Sequence, residues 1–241
     1  MPSTVLSRPH PPVNGKQMFK FPFRRRATIL GLVTAALLAG HAARSLAADY
    51  ATILMYHRFG EDKYPSTNVT LKQFEEHLEI LASGPYTVMP LDEVVEQLQA
   101  GEPLPDRSVA ITIDDAYLSV FEEAFPRLKE RGFTATLFIA TRPVDRNLPG
   151  YMDWDQIREW QAAGFGVASQ TQTHPHMHQI PIEDSRRELE VSNRRFLAEL
   201  GLRPTLFAYP YGEYNRAVLE LVRDTGFEAA CGQNSGGAHG Y

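Results

Sequence analysis

The chain has 241 residues, of which 43% are hydrophobic and 22% charged, a composition typical of a globular protein with one sizeable core. Positions 1–47 hold seven Lys or Arg and no Asp or Glu, which leaves 17 basic and 29 acidic side chains for the rest. That acidic remainder would repel phosphate, which argues against nucleic-acid binding and favours a neutral substrate or a bound cation. Because Cys231 is the single cysteine, an internal disulfide is excluded.

Residues 1–47 have the organisation of an export signal. Three arginines at 24–26 precede an uncharged stretch at 27–40, and the small-residue segment Ser-Leu-Ala-Ala follows at 45–48. This order is typical of a bacterial signal peptide, and the arginines also permit a twin-arginine signal. We therefore predict a periplasmic or extracellular protein with no stable membrane insertion once the leader is cleaved. An uncleaved anchor is the alternative.

Helix and strand patterns alternate along the rest of the chain. Apolar residues at helical spacing predict helices over 71–81, 91–98, 118–131, 154–163 and 183–200, and one that ends near 224. Short apolar runs predict six strands, at 52–56, 109–113, 135–140, 166–169, 205–208 and 227–231. Pro126 is expected to kink or split its helix, and the Gly-rich tail at 232–241 has no pattern. Alternating strands and helices indicate an α/β fold with a parallel sheet.

The stretch at 109–117 contains a predicted buried strand, which is followed directly by two carboxylates, Asp114 and Asp115. Neighbouring residues of a strand point to opposite faces, so both carboxylates can serve one site only if the strand ends there. Two carboxylates at the end of a buried strand are costly unless a metal ion, a hydrogen-bond network or solvent compensates their charge. The simpler alternative is that one of them caps the helix that follows.

Three other predicted strand ends carry polar residues: His57, the segment at 170–178 and the segment at 209–212. The carboxyl ends of parallel strands gather on one face of a sheet. Three histidines in 170–178, together with the distant Asp pair, indicate a divalent metal held by nitrogen and oxygen ligands. A solvated loop that happens to be rich in histidine is the alternative, and it is favoured for His176 and His178 taken singly.

Three segments together resemble the first motifs of the polysaccharide deacetylases, the nodulation-type chitooligosaccharide deacetylase homology family (carbohydrate esterase family 4). They are Ile-Thr-Ile-Asp-Asp at 111–115, Thr-His-Pro at 173–175 and Tyr-Pro-Tyr-Gly at 209–212. The opening Ile-Leu-Met-Tyr-His at 53–57 resembles the exported poly-N-acetylglucosamine deacetylase branch, in which the motif order is permuted. The resemblance spans about 106–231. It implies a distorted (β/α) barrel, here expected to be incomplete at its C-terminus.

The resemblance also implies an activity, the hydrolysis of N-acetyl groups on an acetylated amino-sugar polymer with zinc, cobalt or nickel as the metal. Asp115 and His174 would be metal ligands, and Asp114 would be the general base. His57 would be the acid that protonates the leaving amine, and the backbone N–H of Tyr211 would face the oxyanion. An acid is needed because an amine is a poor leaving group.

Two substitutions depart from the family pattern. Gln170 stands in place of the first metal-binding histidine, and Ala208 stands in place of an arginine that would orient the base. A late histidine-bearing motif is absent, so the acid role rests on His57 alone. Either Gln170 ligates weakly, or His176 or His178 supplies the third ligand, or the site has lost its metal and only binds glycans. A metal-dependent acetyl esterase is a further alternative.

We divide the chain into a leader at 1–47, the N-terminal strand and helices of the catalytic domain at 48–105, and the deacetylase homology region at 106–241. Aromatic side chains could stack on sugar rings, although aromatic residues lie more often in the core. The candidates are Trp154, Trp160, Tyr209, Tyr211 and Tyr214.

Overall fold

The computed structural model describes residues 48–233 and 238–239, so the predicted leader lies outside the described residues. The strands are β1 Tyr50–Tyr56, β2 Arg58–Phe59, β3 Asn68–Val69, β4 Thr87–Val88, β5 Ser108–Asp114, β6 Thr136–Ile139, β7 Gly166–Ser169, β8 Leu206–Ala208, β9 Ala229–Cys231 and β10 Ala238–His239. The α-helices are α1 Leu71–Ser83, α2 Leu91–Ala100, α3 Phe125–Glu130, α4 Thr141–Asp145, α5 Trp154–Ala162, α6 Ile182–Leu200 and α7 Arg216–Asp224. None of the described helices is both long and apolar enough to cross a membrane.

The main sheet has the strand order β10-β1-β5-β6-β7-β8-β9, with β4 also paired to β5. Its strands are parallel except for β10, which pairs antiparallel with β1. The strands β9 and β10 lie at opposite ends of this order, so the sheet of the described residues is an open half-barrel. The predicted α/β class, the distorted barrel and the six parallel strands are confirmed. The strand β10 was not predicted, because the Gly-rich tail has no apolar alternation.

Apolar layers cover both faces of the central strand β5, and every one of its residues is buried. Val109, Ile111 and Ile113 pack with residues of α1, α3, α5 and α6, whereas Ala110 packs on the other face with residues of α2, β6, β7 and β8. Asp114 continues the register of Ala110, because side chains alternate between faces along a strand. The general base predicted from the sequence is therefore the last residue of a strand that is buried along its whole length.

Helix boundaries follow local signals that the sequence carries. The helix α1 begins at Thr70 with a capping box in which Thr70 and Gln73 bond each other's backbone N–H groups. The single helix predicted over 118–131 is split: residues 120–124 form a π-helical turn, and α3 follows with Pro126 in its first turn. Proline is tolerated there because the first N–H groups of a helix have no intrahelical partner.

Candidate active site

The two carboxylates of Asp114 and Asp115 lie at the point where β5 ends. Asp114 is the last residue of the strand, and Asp115 has a positive φ of 73°. The backbone N–H of Asp115 donates to the carbonyl of Phe138 on β6 at 3.0 Å. The chain therefore turns between the two side chains, as the prediction of a shared site requires. The capping alternative is wrong, because the helical turn that follows begins after Ser119 without a side-chain cap.

Asp114 is buried, with 5% of its surface exposed. His57 Nε2 at the end of β1 lies 3.9 Å from Asp114 Oδ2, and Gln170 Nε2 after β7 donates to the same oxygen at 3.4 Å. Burial, and next the charge of Asp115, raise the pKa of Asp114 to about 8, while the Gln170 hydrogen bond acts in the opposite direction. A carboxyl group with this pKa can exchange a proton near neutral pH.

Asp115 approaches the second predicted ligand, His174, with 3.6 Å between Oδ1 and Nε2. Burial lowers the pKa of both His57 and His174, and the nearby charge of Asp115 opposes that shift in each. A lowered pKa favours the neutral imidazole, which is the form that binds a metal ion.

Gln170 lies beside Asp114 and brings an amide oxygen to this site. Its side chain is 2% exposed, and its Oε1 is buried without a hydrogen-bond partner among the described residues. No group of three or more His, Cys, Asp or Glu side chains is placed to hold a metal in the described ranges. A metal bound by Asp115 and His174 would therefore take a further ligand of another type. A carboxylate oxygen, an imidazole nitrogen and an amide oxygen without a partner are a donor set that fits a divalent ion.

The other two histidines of this loop turn towards a different partner. His176 Nδ1 lies 2.6 Å from Glu213 Oε2, and His178 Nδ1 lies 3.4 Å from the same oxygen. The structure therefore brings His178, which we had predicted as a metal ligand, to Glu213 and does not group it with Asp115 and His174. Glu213 escaped the sequence analysis, although it directly follows the Tyr-Pro-Tyr-Gly segment.

Positive φ angles at residues other than glycine concentrate at these strand ends. Five of the seven such residues in the described part lie here: Asp115, Ala116, Thr171, His174 and Tyr211. The left-handed region is costly for side chains with a Cβ, so it persists only where neighbouring contacts impose it. This concentration marks the same loops that the motifs had indicated.

Glu188 on α6 anchors the loop that follows β7. Its carboxylate accepts hydrogen bonds from the backbone N–H of Gln172 at 3.1 Å, and from the N–H and Oγ1 of Thr173 at 2.7 and 2.8 Å. The N–H of His174 in turn donates to Thr171 Oγ1 at 3.0 Å. Glu188 was not predicted from the sequence, because it is one of many charged residues along α6 and no local signal distinguishes it from the others.

The aromatic candidates for sugar stacking divide into two groups. Trp154, Trp160 and Tyr209 are at most 8% exposed and belong to the core. Tyr211 and Tyr214 are 46% and 44% exposed, so they are the two of the five that a sugar could contact.

Comparison with known proteins agrees with this fold and identifies the family. The family model described as Polysaccharide deacetylase matches residues 101–230. YxkH of Bacillus subtilis, whose name assigns it provisionally to the polysaccharide deacetylases, is 26% identical over 186 residues, covering 77% of this chain and 65% of YxkH. The poly-beta-1,6-N-acetyl-D-glucosamine N-deacetylase of Staphylococcus aureus is 24% identical over 193 residues, covering 75% and 66%.

The solved structure of the Streptococcus pyogenes deacetylase PplD in complex with acetate shares the fold, with a TM-score of 0.74, 22% identity and coverage of 79% of this chain and 86% of PplD. Because the family model matches more than half of the residues, the chain belongs to the polysaccharide deacetylase family. It spans about two thirds of the length of the two curated relatives. The family resemblance noted in the sequence is thereby confirmed.

Proposed function

We propose that the protein is an exported, metal-dependent hydrolase that removes N-acetyl groups from a polymer containing N-acetylglucosamine. The observation that carries this proposal is the convergence of five side chains from the ends of β1, β5 and β7: His57, Asp114, Asp115, Gln170 and His174. The name of the Staphylococcus aureus relative supports the choice of polymer. Membership of the polysaccharide deacetylase family supports hydrolysis of a carbon–nitrogen bond that is not a peptide bond.

Asp115, His174 and the amide oxygen of Gln170 would hold the divalent ion. When bound, such an ion supplies Lewis-acid polarisation of the amide carbonyl and a lower pKa for a water molecule. Among the residues of this chain, Asp114 in its ionised form accepts the proton of the attacking water. Burial alone favours its protonated form, and a cation held beside Asp115 would favour the ionised one. The backbone N–H of Tyr211 stabilises the negative charge that develops on the carbonyl oxygen.

His57 donates a proton to the nitrogen of the leaving amine. Its lowered pKa means that it is neutral at rest and must gain a proton during the reaction. Asp114 Oδ2 is 3.9 Å from His57 Nε2, so a proton taken up by Asp114 is held beside the residue that needs it. Loss of His57 is therefore expected to stop amine release while leaving the metal ligands intact.

The second candidate is a homologue that binds glycans without cleaving them. The substitutions at Gln170 and Ala208 favour it, because a neutral amide is a weaker ligand than imidazole and no arginine orients Asp114. Tyr211 and Tyr214 could contact a sugar in either case. Glycan binding that is independent of metal would favour this candidate over the hydrolase.

The test is to strip the purified protein with a chelator and reload it with zinc, cobalt or nickel. Metal content and acetate release are then measured on β-1,6-linked poly-N-acetylglucosamine, chitooligosaccharide and an O-acetylated neutral polysaccharide. Near-stoichiometric metal with acetate released from an amino-sugar polymer supports the proposal. Release from the O-acetylated polymer alone supports an esterase. A folded protein that binds no metal and releases no acetate refutes the proposed activity.

Export is proposed from the basic and apolar organisation of residues 1–47. N-terminal sequencing of the protein recovered from a bacterial host tests it. We expect the first residue to lie at or next to Ala48, in the periplasmic or culture fraction. Protein that retains residue 1 and stays in the cytoplasm would refute export, and retention of residue 1 in the membrane fraction would indicate an uncleaved anchor.

A further inference from the structure

The loops after β7 and β8 meet around the side chain of Tyr211. The ring of His176 lies parallel to the Tyr211 ring, with 3.9 Å between centroids and 11° between planes. The ring of His174 meets Tyr211 edge-on, at 4.5 Å and 66°. Aromatic rings at these separations attract each other through dispersion and through their quadrupoles. Tyr211 is thus in contact with both histidines, of which only His174 faces Asp115.

Glu213 joins the same two loops by a polar contact. Its Oε2 lies 2.6 Å from His176 Nδ1, a hydrogen-bond distance, and 3.4 Å from His178 Nδ1. The carboxylate follows the turn at 210–212, in which the N–H of Gly212 donates to the carbonyl of Tyr209 at 2.7 Å. His176 therefore makes two contacts with this turn, one to the Tyr211 ring and one to Glu213.

Tyr211 needs such external support because its own backbone is not in a preferred conformation. Its φ and ψ are 59° and 10°, and its side chain is 46% exposed. A tyrosine in the left-handed region is strained, and burial contributes little to hold an exposed ring. The neighbouring Gly212 is confined too, since a Cβ there would lie 2.5 Å from the Gln233 backbone nitrogen.

We propose that His176 and Glu213 are positioning residues that hold Tyr211 in its left-handed conformation, so that its backbone N–H faces the reaction centre. This inference rests on the proposed function, in which that N–H stabilises the oxyanion. It gives a role to His176, which is not needed as a metal ligand. The contact to the Tyr211 ring and the hydrogen bond to Glu213 act on one turn, so their effects are expected to overlap.

The test compares His176→Ala with His176→Phe and Glu213→Ala, and with Glu220→Ala as the control. Phenylalanine keeps the ring that stacks on Tyr211 but loses the bond to Glu213, whereas alanine loses both. Glu220 is a carboxylate on α7 that pairs with Arg216 at 2.9 Å and lies outside the contact. Hydrogen exchange of the peptide covering 209–213, metal affinity, kcat and KM are measured for each.

We expect His176→Ala to speed exchange at 209–213 and to lower kcat by roughly ten- to a hundredfold, as for a misplaced catalytic group, with KM and metal affinity nearly unchanged. His176→Phe and Glu213→Ala each keep the ring contact and lose the His176–Glu213 hydrogen bond, so both should show an effect intermediate between the wild type and His176→Ala, and Glu220→Ala should resemble the wild type. The double variant His176→Ala/Glu213→Ala should be little worse than His176→Ala, because neighbouring contacts on one turn are not additive.

Unchanged exchange and unchanged kcat in His176→Ala would overturn the inference. A rise in KM alone would assign His176 and Tyr211 to sugar binding, and a loss of metal affinity would make His176 a ligand; each of these outcomes also overturns it. If the wild type releases no acetate, the proposed function fails by itself. The exchange comparison still decides whether His176 holds the turn.

Discussion

Gln170 is the residue on which the chemistry of this site depends most. Its amide nitrogen donates to Asp114 at 3.4 Å, and its oxygen is buried without a partner among the described residues. An unpartnered buried oxygen is costly, so a ligand that satisfies it gains free energy on binding. Gln170 can thus hold the base with one end and bind a cation with the other, which partly replaces both the histidine and the arginine that the family pattern expects.

Replacing Gln170 by His should tighten metal binding, since imidazole is a better ligand for zinc than a neutral amide. We expect a gain in zinc affinity of roughly ten- to a hundredfold, the scale of single changes around metal sites. Calorimetric titration of the chelated protein with zinc measures it. The control is Gln172→His, which adds a histidine to the same loop two residues further on. Equal gains in both variants, or none in Gln170→His, would contradict the role given to Gln170.

Asp114 predicts a pH dependence of stability in the chelated protein. Its pKa rises from 3.8 to about 8 on folding, so the folded state holds a proton that the unfolded state has lost between these values. Stability is therefore lost as the pH rises through this window. Asp114→Asn has no carboxyl group to titrate, so it should not lose stability in this way as the pH rises. Its melting temperature should therefore exceed that of the wild type by a margin that grows from about pH 4 to pH 8.

Thermal melts at several pH values, with chelator present, measure this margin. The exposed Asp62 provides the control, because Asp62→Asn removes a carboxylate without relieving any burial. A margin that stays constant with pH, or that shrinks as the pH rises, would contradict the burial argument for Asp114.

At the scale of elements, the site depends on how α6 and β7 hold the loop between them. Thr171 and His174 have φ angles of 72° and 60°, and the carboxylate of Glu188 takes three hydrogen bonds from the residues between them. The loop begins at the buried Gln170, and the partly buried His174 follows four residues later. The distance between two of the proposed metal ligands therefore depends on a helix that contributes none of them.

Glu188→Ala should weaken zinc binding by roughly ten- to a hundredfold, as is typical for residues that orient metal ligands. It should do so with the secondary structure retained, because Glu188 lies on the loop side of a helix whose core residues are unchanged. Calorimetric titration and circular dichroism measure the two effects. The matched control is the exposed Glu190→Ala on the same helix. Zinc affinity that is equal in the two variants would show that the loop does not need Glu188.

Sequence patterns were sufficient to predict the main strands and helices of the fold, but they did not predict the contacts between the loops. The apolar run of β5 and the positions of Asp114 and Asp115 were predictable, because strand burial and strand ends have local signals. The positive φ of His174 and the bonds of Glu188 were not, because they depend on residues that are distant in sequence. The approach of His178 to Glu213 was not predictable for the same reason, since these two residues are also distant in sequence.

At the scale of the whole molecule, an open parallel half-barrel brings the ends of β1, β5, β7 and β8 to one edge, where the motifs of the chain meet. Residues 48–241 carry 17 basic and 29 acidic side chains, a balance that suits a bound cation and a neutral polymer. Family membership and the four polar strand ends support the proposed removal of acetyl groups, and the sheet topology places those strand ends together.

The most direct test of the proposed deacetylation compares acetate release by the wild type and by Asp115→Asn in the presence of zinc. Asparagine keeps the size of Asp115 and tolerates its φ of 73°, so the substitution removes the charge while leaving the backbone unstrained. We expect acetate release from an N-acetylglucosamine polymer by the wild type and a loss of at least about a hundredfold in the folded variant. Equal release by the two proteins would contradict the proposed deacetylation.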